Sequence, residues 1–456
     1  MFVLSSHVNN LSSHVNNLSN LVNKRKTTMS NSNETRLTEC VWILGDGQDA
    51  LAVWLRGQIE QLAAKLCGTP PRFSTQLEGA FCIVAGSPES NHFVKDAAQQ
   101  KLIDLESLGR DDFLLKQTVL NGTDTLLIAG RNPRAAMYGV FDFFEQLGCT
   151  FLISRDAVPQ TNPDLLVPPL DKVGQTACSL RGVGFGAISC WPTNFMMSLT
   201  DHEAMLDQMA KMKMNTMMHW HFENDPFIDY TYKGERKLVG DISHPDSGYI
   251  NYGRHFTGSF LVKDIPVGKE KFDRKKITSM ELQDVASSDE ALDKGREVMQ
   301  SLMKMGKERG IGTWNLVEPQ FVPPNLSKYT RRMERMHLHW SAHVSCTDPE
   351  LTEINRARIE GILKAYPDIE GIYLGIPEGF YDDPYPETEA LIEREWDNYA
   401  EALELQKEYW NIWPDEEQQK AHIRADIGFV EIVKNTIAVA KEIKPDLKLG
   451  IHTVCK

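Results

Sequence analysis

The sequence predicts an α/β protein in two parts, a small α+β domain followed by a longer run of alternating strands and helices. Three observations carry this. Short apolar runs ending in glycine alternate with stretches of helical spacing up to Gly148. Four prolines then fall between Pro159 and Pro169, where the pattern changes. Beyond them strand and helix alternate as βα units, which implies a parallel sheet, either doubly wound or closed into a barrel. The 456 residues are too many for one ordinary domain, and a 41% hydrophobic content can furnish two cores.

Residues 5–18 write Ser-Ser-His-Val-Asn-Asn-Leu twice, and a decayed copy follows. This polar repeat predicts a disordered tail over 1–36. Met29, after Lys24-Arg25-Lys26, is an alternative start.

The first folded unit is expected over 37–170. Cys40 to Leu44 reads as a strand, and Ala50 to Leu66 as a helix that stops at Gly68. Ala80 to Ala85 is a second strand, and Phe113 to Val119 with Thr125 to Ala129 a hairpin around Asn121-Gly122. Pro133 opens a helix closed by Gly148. Gly45 and Gly47 lack the third glycine of a dinucleotide-binding turn. The proline-rich stretch reads as a linker.

The second unit, 171–456, shows strands at Leu180–Phe185, Thr216–Phe222, Ile311–Val317, Gly371–Gly375 and Leu449–Val454. Helices are expected at His202–Lys213, Asp289–Arg309, Pro349–Ala365 and Ile427–Ile443, with a polar, glycine-rich excursion over 224–286. The stretch 380–425 reads as a helical excursion in which Trp396, Tyr399, Tyr409, Trp410 and Trp413 pack together.

The formal net charge of -14 argues against a nucleic-acid partner. No apolar run reaches the roughly 18 residues of a membrane span. No secretion signal is visible, so a cytoplasmic location is the default expectation. The eight cysteines are dispersed without zinc-ligand spacing and are expected as buried thiols. His337, His339 and His343 have no carboxylate at a familiar ligand offset, so neither metal nor cofactor is expected.

Three stretches resemble known glycoside hydrolases. Leu126-Leu127-Ile128-Ala129-Gly130-Arg131-Asn132-Pro133-Arg134, with Met137-Tyr138-Gly139-Val140 and Phe144-Glu145-Gln146-Leu147-Gly148-Cys149, is similar to the accessory domain preceding the barrel in β-N-acetylhexosaminidases (family 20) and α-glucuronidases (family 67). Lys213-Met214-Asn215 leading to His219-Trp220-His221-Phe222 resembles the helix and second strand of hexosaminidase barrels, and Leu180-Arg181-Gly182 the first strand. Tyr366-Pro367-Asp368, then Tyr373-Leu374-Gly375-Ile376-Pro377-Glu378, is similar to the helix and fourth strand that deliver a catalytic Asp-Glu pair. The resemblance implies a (β/α)8 TIM barrel, here incomplete, because five strands are read where a closed barrel needs eight. It also implies hydrolysis of O-glycosidic bonds in an oligo- or polysaccharide.

On this reading Glu378 is the general acid, at the end of the fourth strand where barrel enzymes do their chemistry. The resemblance gives Arg181 a sugar-holding role. His219, Trp220 and His221 offer ring donors beside an indole, and Trp314 and Glu318 lie near the end of the third strand. The pattern departs from the family at Pro377, which stands where the aspartate is expected. Asp382 or Asp383 would then be the replacement carboxylate. Two rival functions are an inert carbohydrate-binding or scaffold protein and a metal-dependent sugar isomerase.

Overall fold

The computed structural model describes residues 35–45, 47, 49–185, 197–221, 225–239, 249–250, 260–261, 279–323, 325–331, 344–376, 383–409 and 416–453. The tail repeat and Met29 lie outside them.

The first domain is a six-stranded sheet built from β1 (Val41–Ile43), β2 (Arg72–Phe73), β3 (Phe81–Gly86), β4 (Phe113–Leu120), β5 (Thr123–Gly130) and β6 (Asp171–Gly174), in the order β2-β1-β3-β5-β4-β6. Strands β1, β2, β3 and β5 run parallel, and β4 is antiparallel to both its neighbours. Helices α1 (Ala50–Cys67), α2 (His92–Gln99) and α3 (Pro133–Gln146) cover it. Period-2 alternation sorts the core. Trp42, Ile83, Leu126 and Ile128 join α1 and α3 on one face, while Val41, Ile43, Val84 and Leu127 join α2 on the other.

The ends of these elements follow from local chemistry. The Asp49 side chain accepts from the Ala52 amide, and Gly68 leaves α1 in the left-handed conformation. Asn132 caps α3 in the same way, with Pro133 at its first position. Asn121 and Gly122 both have positive φ, 48° and 87°, as a two-residue hairpin turn requires. The helix α2 and the strand β6 have no counterpart in the sequence reading.

The proline-rich stretch is not a free linker. The Leu37 amide donates to the Leu165 carbonyl, and the Val167 amide to the Thr35 carbonyl, so the stretch straps the domain. Val167 and Leu170 are buried in its core.

The second domain contains β7 (Gly182–Phe185), α4 (Leu199–Lys211), β8 (Thr216–Trp220), α5 (Ser288–Glu308), β9 (Gly312–Val317), α6 (Pro349–Ala365), β10 (Gly371–Ile376), α7 (Pro386–Tyr409), α8 (Glu416–Ile443) and β11 (Lys448–Thr453). The five strands pair in chain order and all in parallel. A doubly wound sheet reverses its strand order at a switch point. This one does not, so the arrangement is that of a barrel wall. Trp220 and His452 lie three strand positions apart, roughly 14 Å in a flat sheet. Their ring centroids are 5.2 Å apart, so the sheet curls around them.

Convex residues Val317, Ile372 and Leu374 pack against Met299, Leu302, Ile359, Ile362 and Val439 of the surrounding helices. The described residues between 383 and 425 include α7 and the start of α8, and Leu391 and Ile392 pack against Ile423 and Ile427 of α8. Among the described residues no helix is long and apolar enough to cross a membrane.

The domains share one core. Leu206, Met209, Ala210, Met217 and Ile311 from the barrel side belong to the same buried cluster as Trp42 and Phe141. Around it the Trp54 indole donates to Asp207 at 2.9 Å, Tyr138 donates to the Met214 carbonyl at 3.0 Å, and Lys211 pairs with Asp156 at 2.9 Å.

Candidate functional site

The strand registers arrange the concave face in three rows. Met218, Trp314, Gly371 and Lys448 form the first, nearest the strand starts. Trp220, Leu316, Tyr373 and Gly450 form the second. At the strand ends, Glu318 follows β9, beside Gly375, which is paired with His452. In each row a large side chain leans over a glycine on the next strand. A Cβ on Gly371 would meet the Trp314 ring at 2.3 Å, one on Gly450 the Tyr373 ring at 2.4 Å, and one on Gly375 the Glu318 Cγ at 3.1 Å.

The third row brings a carboxylate and an imidazole to the strand ends. Glu318 is 5% exposed, and Trp220 of the second row, at the end of β8, 9%. The His452 ring meets Trp220 edge-on, with an interplanar angle of 63°. Burial holds the His452 pKa below its ordinary value, which favours a neutral imidazole. Sequence reasoning missed His452, although period-2 alternation from Gly450 at the end of the fifth strand points to it.

Glu378 lies outside the described residues, two positions past the end of β10. Pro377, Asp382, His337, His339 and His343 lie outside them as well.

The histidine pair is placed differently from the expectation. His219 and His221 share a face, but it is the convex one. The rings stack at 5.8 Å with an 8° interplanar angle. His202 of α4 lies 6.3 Å from His219, and Phe227 lies 5.2 Å from His221. Alternation along β8 sends Trp220 inward and therefore sends both imidazoles toward the helices. Burial, then the nearby His221 and His202, holds the His219 pKa well down. Burial and then Lys237 push that of His221 to about 3, against a hydrogen bond with Asn315 that raises it.

Arg181 is likewise occupied elsewhere. It sits before β7, at the strand starts, where its guanidinium pairs with Asp111 of the first domain at 2.9 Å. It also donates to the Lys213 carbonyl at 2.9 Å and to the Cys178 carbonyl at 2.5 Å. Asp111 takes further bonds from Arg134 at 2.6 Å and Asn215 at 2.7 Å. Burial raises the Asp111 pKa, yet these donors outweigh it and hold the carboxyl below its ordinary range.

Trp314 belongs to the lowest row, not to the strand end. It lines a cavity of about 800 Å³ with Asp111, Asp112, Leu180 and Lys448 at the opposite end of the sheet. Asp383 is 2% exposed and accepts from the backbone amides of Cys346 at 3.0 Å and Tyr385 at 3.2 Å. Both its oxygens hold the approach to α7, so it is an anchor rather than a replacement carboxylate.

Cys40, Cys67, Cys82, Cys149 and Cys346 are buried and Cys178 is exposed, all unpaired. Burial pushes the Cys40 and Cys346 thiols to about 12, the opposite of what a nucleophile needs.

The sequence model described as "Glycosyl hydrolase family 67 N-terminus" matches residues 27–143, which run from the end of the tail through most of the first domain. No curated protein matches the chain. Solved structures similar to it include a family 138 glycoside hydrolase targeting pectin rhamnogalacturonan II, at 13% identity and a TM-score of 0.41, over 74% of this chain and 30% of that one. A family 20 exo-β-N-acetylglucosaminidase from Vibrio harveyi is 10% identical, with a TM-score of 0.41, over 87% of this chain and 50% of that one. A chitobiase from Flavobacterium johnsoniae is 13% identical, with a TM-score of 0.43, over 93% and 50%. The chain thus spans half or less of the length of these three structures.

Proposed function

We propose that the chain is of glycoside-hydrolase type, cleaving O-glycosidic bonds of an oligo- or polysaccharide at the strand ends of the curled sheet, with Glu378 as general acid. The observation that carries the reading is the third row. Its Glu318 and His452 stand at the strand ends, where barrel enzymes place their chemistry, with Trp220 of the second row against His452, and Glu378 follows the strand between Glu318 and His452. The family 67 N-terminus match in the preceding domain supports the same class.

In this reading the sugar lies over the third row. Glu378 gives a proton to the glycosidic oxygen as the bond to the anomeric carbon breaks, which a carboxyl group does best when its pKa is raised toward the working pH. Trp220 offers an apolar edge to the C–H face of the ring. Arg181, His219 and His221 have no part in holding the sugar. Their work is in the domain interface and the outer core.

The test is turnover of aryl glycosides with poor leaving groups by the chain and by Glu378→Gln. The amide keeps the shape and loses the proton, so kcat is expected to fall about 100-fold or more while binding persists. Retention of more than about a tenth of the turnover removes Glu378 from the acid role. A second reading, an inert carbohydrate-binding protein, draws on Pro377, which has no carboxylate to offer. Binding of the same glycosides without any turnover favours it.

A further inference from the structure

One group of rings has no part in the proposed hydrolysis. His202 of α4, His219 of β8, His221 just after it and Phe227 stand in a column, with ring centroids 6.3, 5.8 and 5.2 Å apart in turn. The three imidazoles are each 1% exposed. The column ends on the loop 225–239, which is closed at its base. There the fully buried Lys237 ammonium donates to the Asp225 carbonyl at 2.8 Å. The Lys237 amide donates to the Tyr230 carbonyl at 3.1 Å. Between these points Phe227, Ile228 and Tyr230 pack into the core beside α5 and α6. The tip of the loop is a short hairpin, Thr231–Tyr232 with Glu235–Arg236. Ion pairs pin it from outside, Arg236 to Asp289 and Asp293 of α5 and Lys233 to Glu350 of α6.

Charge decides what the column can do. Two stacked imidazolium rings 5.8 Å apart would repel one another inside the protein, and Lys237 would add a third positive charge. Burial and then Lys237 push the His221 pKa to about 3, and burial, His221 and His202 hold that of His219 well down. For His202 burial also wins, against the Ser198 carbonyl and the carboxylates of Asp201 and Glu281. Those two acids act on His202, at the far end of the column from the loop. On the loop itself, Asp229 is taken up by Arg236 and Arg296.

We propose that the column and Lys237 form an acid-sensitive latch, which keeps the base of loop 225–239 shut at neutral pH and opens it, ahead of the rest of the molecule, as the pH falls. Opening hydrates the His219 and His221 rings, which then take up protons at their ordinary value near 6.5. The closed base refuses those protons, so below 6.5 each ring favours opening by about tenfold per pH unit. The tip keeps its charges over the same range, because hydrogen bonds from Arg236 and Lys233 hold the Asp293 and Glu350 carboxyls below their ordinary values. The base therefore yields before the tip. The loop follows β8, so the same opening loosens the strand end that carries Trp220.

The experiment is hydrogen–deuterium exchange of the full chain at pH 6 and pH 5, read by mass spectrometry and corrected for the intrinsic rate. The reporters are the amides of Lys237, Leu238 and Val239, bonded to the Tyr230 carbonyl, the Asn325 side chain and the Ser288 hydroxyl. Their protection should fall by more than about tenfold, and toward about a hundredfold if both rings are hydrated. Protection of Phe81–Gly86 in β3 should change by less than about threefold. His221→Phe keeps a ring against Phe227 and loses the proton site, and His219→Phe does the same one position along the column. Each should reduce the fall by at least about threefold. Melting curves at pH 7 confirm that the variants are folded, and either one carries the test if the other does not fold. A smaller fall in the original protein, an equal fall in β3, or a folded variant whose loop responds as steeply as the original overturns the latch.

Discussion

At the strand starts Asp111 is met by Arg134, Arg181 and Asn215, donors drawn from both domains, whereas at the strand ends Glu318 leans over a glycine that is paired with His452, an imidazole with an open nitrogen. Both carboxylates are about equally buried, at 4% and 5% exposure. Burial alone therefore does not tell the two carboxylates apart. The difference lies in the setting. Asp111 is held by fixed donors and ties two domains, while the strand-end row keeps a polar nitrogen in reserve beside an aromatic edge.

The histidines provide the largest test of this division. His219 and His221 are buried neutral, with pKa values below the unfolded value near 6.5. As pH falls below 6.5, the unfolded chain takes up protons that the folded chain refuses, so stability is lost on acidification. Each group contributes up to about 1.4 kcal/mol per pH unit, down to about pH 3 for His221. Urea unfolding between pH 7 and about 5 should show this slope, and His221→Leu should flatten it. An unchanged slope in the variant would mean that the stacked pair titrates freely.

Asp111→Ala comes next. It leaves two guanidinium groups unpaired at the interface and should cost about 3 kcal/mol in urea unfolding. Turnover per folded molecule should stay near the original. Loss of turnover in folded protein would move the chemistry toward the strand starts. Arg181→Lys keeps the charge but loses the fork of donors, and about 1 kcal/mol of destabilisation is expected by the same measurement.

The smallest effect concerns substrate. Proline at 377 has neither a side-chain acceptor nor a backbone N–H, so it cannot orient an acetamido group or stabilise charge on its nitrogen. Matched aryl glycosides with and without the 2-acetamido group should be cleaved at rates within about threefold, with weak inhibition by a thiazoline. Strong preference for the acetamido substrate with tight thiazoline inhibition would require another carboxylate to take that place. The described Asp383 is already bound to two backbone amides.

Most of the fold was legible because its signals are local. Asp49, Gly68, Asn132 and the Asn121-Gly122 turn each fix an element end by their own chemistry. The five barrel strands could be read from apolar runs between helices, but their order could not, since pairing is a long-range fact. The strap at 159–170 was misread because prolines mark the absence of regular structure, whether the chain is free or pinned. The site was less legible still. Alternation separates Trp220 from His219 and His221, yet it does not say which face looks inward, and the imidazoles lie toward the helices. Arg181 reads as a sugar contact by resemblance, and the partner that occupies it, Asp111, lies 70 residues away in sequence.

The most direct test compares the two buried carboxylates in one assay, by measuring kcat/KM on a neutral aryl glycoside for Glu318→Gln and Asp111→Asn. The account predicts a fall of at least tenfold for Glu318→Gln with little change in melting temperature, and near-normal kcat/KM for the folded fraction of a less stable Asp111→Asn. A normal kcat/KM in Glu318→Gln together with a collapse in folded Asp111→Asn would contradict it, placing the working end of the sheet at the domain interface.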